Sequence, residues 1–83
     1  MHTQDWLVRI AIDEDDDHTH ALAVLTSRDG VSLHGDGNAD RRPGEAPIPE
    51  IGEELAAARA LYSLADQLMD AAAHDVDNLS HPI

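Results

Sequence analysis

Asp5-Trp6-Leu7-Val8-Arg9-Ile10-Ala11-Ile12-Asp13 is the stretch whose reading decides the fold. Trp6, Val8, Ile10 and Ile12 fall on one face, while Leu7, Arg9, Ala11 and Asp13 fall on the other. A period of two with β-branched and aromatic residues predicts a strand over about 5–13. Asp13-Glu14-Asp15-Asp16-Asp17 follows at once. Like charges repel at strand spacing and Asp disfavours strands, so the run reads as a solvated hairpin loop.

Alternation resumes over 18–27. Thr19, Ala21, Ala23 and Leu25 share one face; His18, His20, Leu22, Val24 and Thr26 share the other. Arg28-Asp29-Gly30 is a turn, because Asp-Gly is a strong hairpin signal. A third strand is expected over 30–38, carrying Val31, Leu33, Gly35 and Gly37. Glycine inside a strand marks a bulge or a close backbone approach. Three strands on short turns make an antiparallel β-meander.

Further along, 39–48 reads as a linker, since its prolines and glycine exclude regular structure. A helix is expected from about 49 to 73. Proline suits the first turn, and Glu50, Glu53 and Glu54 suit the positive end of the dipole. Ile51, Leu55, Ala58, Tyr62, Ala65, Met69 and Ala72 recur at three-and-four spacing, widened by Leu61, Leu64 and Leu68. This amphipathic stripe is expected to face the sheet. Residues 74–83 read as a tail with at most one extra turn. The expected class is α+β, a single domain over 1–83 in the order β-β-β-α.

Composition bounds the function. The 83 residues carry 5 Lys+Arg, all arginine, against 17 Asp+Glu, for a net charge of −12. Cysteine is absent, which excludes disulfides and thiolate metal sites. No apolar run approaches the roughly 20 residues of a membrane span, and residues 1–9 do not read as a signal peptide. A cytoplasmic protein with no membrane partner is expected. Thirteen of the apolar residues are alanine, so a lone chain builds a thin core, and oligomerisation is the natural remedy.

The stretch Glu50-Ile51-Gly52-Glu53-Glu54-Leu55-Ala56-Ala57-Ala58-Arg59-Ala60-Leu61 resembles the helix-opening motif of a small actinobacterial family of unknown function. Leu64-Ala65-Asp66-Gln67-Leu68 is similar to its continuation, and Thr19-His20-Ala21-Leu22-Ala23-Val24-Leu25 resembles its second strand. The resemblance implies a double-stranded-RNA-binding-domain-like (dsRBD-like) fold assembled as an intertwined homodimer. It also implies a link to hypoxia and dormancy, and a likeness to ribosome hibernation factors. No catalytic residue comes with it. One departure bears on RNA: residues 1–40 hold two Arg against nine acids, and residues 41–83 hold three against eight. Affinity for a polyanion rests largely on cationic contacts, which are scarce here.

Chemistry-bearing motifs are few. His18 and His20, two apart on one strand face, are weak candidates for a metal site, without a spaced third ligand. Asp13, Asp15 and Asp17 mimic the start of a calcium loop, but His18 stands where glycine is needed and Val24 where glutamate is needed. Asp66 and Asp70 lie one helical turn apart with no pocket implied, so they read as structural. No catalytic residue and no cofactor are assigned. Arg28, Arg41 and Arg42 are the weak nucleic-acid candidates. Leu22 and Val24, on the face away from the helix, and Leu33 are the candidate dimer interface. The partners expected are a second copy of the chain and a basic protein; a ribosome or RNA is the alternative carried by the resemblance. The functional expectation is a non-enzymatic, stress- or dormancy-linked interaction protein.

Overall fold

The computed structural model describes residues 2–27, 30, 32–42, 44, 46 and 48–80. Arg28, Asp29 and Val31, and with them most of the second turn, lie outside the described residues, as do 81–83. Three strands precede one helix: β1 (Leu7–Asp15), β2 (His18–Thr26), β3 (Ser32–Asp40) and α1 (Pro49–Ser80). The sheet order is β1-β2-β3, with both pairings antiparallel.

The strand faces follow the alternation in the sequence. Val8, Ile10 and Ile12 oppose Leu25, Ala23 and Ala21, which in turn oppose Leu33, Gly35 and Gly37. That shared face meets the helix. Ala21, Ala23 and Leu25 are buried, as is Thr19.

The acid run behaves differently from a free loop. Asp13, Glu14 and Asp15 belong to β1, and only Asp16 and Asp17 make the turn. Alternation sends Glu14 to the opposite face from Asp13 and Asp15, which relieves the repulsion. Asp13 and Asp15 then stand opposite His20 and His18. Asp16 takes a positive φ of 28°, a conformation that aspartate tolerates better than most residues.

The helix is longer than expected and rotated from the expected setting. It runs to Ser80, so 74–80 are helical, not a tail. At about 1.5 Å per residue its 32 residues span roughly 48 Å, against roughly 30 Å for a nine-residue strand. Its final turns therefore project past the sheet, and residues 72–79 are all exposed. The buried stripe is Ala56, Ala60 and Leu64, with Leu68 partly buried against the same cluster. Of the residues expected to face the sheet, Tyr62 and Met69 are the most exposed, and Ile51 and Leu55 are about half exposed beside the β1–β2 hairpin end.

Glycine explains the rotation. A Cβ at Gly35 or Gly37 would come under 3.0 Å from helix backbone atoms: at Gly35 those of Ala60 and Leu64, at Gly37 those of Ala56 and Ala60. The helix lies directly on β3, and only small side chains fit between the two backbones. Gly52 extends this close contact, its α-carbon side facing Thr19 Oγ1.

Candidate functional site

The helix covers β2 and β3 and barely touches β1. Val8, Ile10 and Ile12, on the helix side of β1, are therefore 38–43% exposed. Above them the outer side of the helix exposes Tyr62 at 76% and Met69 at 70%, together with Ile51 and Leu55. Val76 and Leu79 continue that stripe along the projecting turns. Two broad apolar surfaces thus lie on the same side of one sheet. Contiguous apolar surface of this kind marks an interaction site.

Of the residues singled out in the sequence, Leu22 and Val24 are half-buried on the opposite face of the sheet. They floor a shallow hollow with Arg9, Ala11 and Thr26. Leu33 lies on the helix side, packed against the chain's own core. The three do not form one surface. The larger apolar area is on the helix side, at residues that the expected helix setting would have buried. A stripe of large residues beside a stripe of alanines was the available signal.

His18 and His20 do share a face, but each is committed to a cross-strand partner. His18 Nδ1 lies 2.5 Å from Asp40 Oδ1, and its Nε2 lies 3.0 Å from Asn38 Oδ1. His20 Nε2 lies 2.9 Å from Asp36 Oδ1. Among the described residues no group of three or more His, Cys, Asp or Glu could hold a metal ion.

The His18 ring meets two acceptors, which only the imidazolium can serve with two N–H donors. The hydrogen bond that His18 donates to Asp40 is the main cause that holds its pKa above the ordinary histidine value. Desolvation opposes it, and the charges of Asp40 and Asp15 and the bond to Asn38 add to it. A raised folded-state pKa stabilises the fold fully below the ordinary value, and that contribution fades as pH rises through the raised one. Asp40→Asn should therefore lower the melting temperature more at roughly pH 5.5 than at roughly pH 8.5. Parallel thermal melts of the two proteins check this; an equal loss at both pH values would contradict it.

Arg41 is engaged at the hairpin end. Its guanidinium pairs with the Asp17 carboxylate, and its amide donates to the Asp17 carbonyl at 2.7 Å. Beside it lies a hollow of about 140 Å³, lined by Thr19, Asp40, Arg41, Ile48, Ile51 and Leu55. Arg42 is exposed in the linker. Asp66 and Asp70 are exposed on the helix, with no enclosure around them.

The Rv2632c-like family model matches residues 4–83, almost the whole chain. The chain belongs to the Rv2632c-like family. It is 40% identical over 78 residues to the uncharacterized protein Mb1767 of Mycobacterium bovis, covering 94% of this chain and 82% of that one. It is 39% identical over 74 residues to the uncharacterized protein Rv2632c of Mycobacterium tuberculosis, covering 89% and 78%. The crystal structure of Rv2632c superposes with a TM-score of 0.90 at 34% identity, covering 100% of this chain and 98% of that one. The β-β-β-α order is therefore shared with Rv2632c. No helix among the described residues is long and apolar enough to cross a membrane.

Proposed function

We propose that this chain is a non-enzymatic interaction protein that works as a homodimer and presents an acidic exterior to a basic protein partner. One observation carries the reading. The accessible surface is 6752 Å², whereas a folded monomer of 9.0 kDa exposes about 4,900 Å². The surplus of about 1,900 Å² per chain is of the order that permanent dimers bury. The same elongation shows in a radius of gyration of 16.7 Å, against about 12 Å for a compact domain of this length. A second copy is the occupant that charge allows at an apolar contact. With −12 on each chain, the acids stay outside and steer cationic partners. The family resemblance adds a stress or dormancy setting to this reading.

Charge weighs against the ribosome-binding alternative. Arg41 is already paired with Asp17, and the acids of β1 and its turn lie beside it. Co-sedimentation with ribosomes at low and at moderate salt separates the two readings. The expected result is no co-sedimentation at either salt. Salt-sensitive co-sedimentation lost in the double variant Arg41→Ala, Arg42→Ala would overturn the protein-partner reading in favour of RNA.

A further inference from the structure

The sheet has a second face, turned away from the helix, that the chain's own core does not use. Its residues fall into rows across the three strands. Arg9, Val24 and His34 make one row, and Ala11, Leu22 and Asp36 the next. Asp13, His20 and Asn38 follow, then Asp15, His18 and Asp40. The solvated face of an antiparallel sheet is ordinarily polar throughout. Here it is divided end to end. Leu22 and Val24 floor the shallow hollow shared with Arg9, Ala11 and Thr26. Ala11 is short, so the hollow stays open toward β1.

Beyond the hollow, carboxylates line both edge strands. Asp13 and Asp15 stand on β1, and Asp36 and Asp40 on β3, all of them exposed. At about 4.8 Å per strand the two acidic rims lie about 10 Å apart. His18 and His20 sit between the rims, bonded to Asp40 and Asp36. Even with both rings protonated, the four carboxylates outnumber them, and the trough stays negative. Arg9 lies at the far end, beside Val24.

Resting on the basic-partner reading above, we propose that this outer face is where the partner docks, and that its occupant is an extended basic segment of a protein. One aliphatic side chain of the segment seats over Leu22 and Val24. Its arginines or lysines lie between the acidic rims. The strand rise sets the spacing, with Asp13 and Asp15 about 7 and 14 Å beyond Ala11. An extended segment presents alternate side chains on one face at the same repeat. The pattern recognised is therefore an aliphatic residue with basic residues two and four positions away. Charge turns other occupants away. A second copy on this face brings four more carboxylates, and nucleic acid or an anionic membrane brings phosphates.

Two synthetic peptides serve as probes at low salt. One spaces a leucine and two arginines with threonines at alternate positions; the other replaces the leucine with threonine. The patterned peptide is expected to shift the methyl resonances of Leu22 and Val24 and to leave those of Val8 and Ile10 in place. The leucine-free peptide should bind at least about fivefold more weakly. Leu22→Ser, and separately Asp13→Asn with Asp15→Asn, should each weaken the patterned peptide at least about fivefold. Asp66→Asn with Asp70→Asn removes the same charge from the helix and should change binding by less than about twofold. Circular dichroism confirms that each variant folds, and the methyl shifts need no variant at all. Equal loss in the two aspartate pairs, or equal binding of the two peptides, would overturn this face while the basic-partner reading stands. Shifts at Val8 and Ile10 in place of Leu22 and Val24 would move docking to the helix side. Binding of neither peptide would overturn the basic-partner reading together with the face.

Discussion

Gly37→Ala is expected to lose about 3 kcal/mol or more of stability, a large share of the roughly 4–12 kcal/mol available to a chain of this length. The cause is geometric. A methyl at Gly37 points into the carbonyl of Ala56 and the amide of Ala60. These are backbone atoms, which cannot swing aside as a side chain would. The helix must lift from β3, and the contacts of Ala56, Ala60 and Leu64 with Ala21, Ala23 and Leu25 go with it. Among the described residues that cluster is the whole of the buried apolar core apart from Ala39. Urea denaturation followed by circular dichroism measures the loss. Gly30→Ala is the control: its φ of 78° disfavours alanine, but nothing lies within 4 Å, so about 1 kcal/mol is expected. Equal losses at the two positions would show that close helix–strand contact is not what Gly37 provides.

Ile10→Asp is expected to weaken self-association at least about 30-fold, the equivalent of about 2 kcal/mol. Ile10 is 38% exposed in the single chain, so the substitution leaves the monomer's core almost intact. In the dimer the same position is covered, and a carboxylate there is buried without a partner in an assembly of strongly acidic chains. The variant should therefore remain folded while its melting temperature becomes nearly independent of protein concentration. Leu22→Asp, on the opposite sheet face, should leave association unchanged. Concentration-dependent melts of the three proteins distinguish the faces. Dissociation by Leu22→Asp and not by Ile10→Asp would place the interface on the outer face.

The strand faces were legible because alternation is strict from Trp6 to Ile12 and from Thr19 to Leu25. The close approach at Gly35 and Gly37 was legible as well, since glycine in a strand has few other uses. The rotation of the helix was harder to read. Hydrophobic bulk pointed Ile51, Leu55, Tyr62 and Met69 inward, whereas a glycine-lined strand admits only alanine-sized neighbours. Reading Gly35 and Gly37 together with Ala56 and Ala60 would have set the helix correctly. Weighed against its chain neighbours alone, the acid run reads as loop. Its true neighbours are across the sheet, where His18 and His20 face Asp15 and Asp13. The candidate site followed the same division. Its existence was visible as surplus apolar residues, but its location depended on which stripe the sheet had already used.

Light scattering of the unmodified protein across micromolar concentrations tests the central claim most directly. A constant mass of twice 9.0 kDa is predicted, because the open faces of β1 and α1 are covered by a second copy. A mass of 9.0 kDa throughout would contradict it, leaving those faces in water in the working protein.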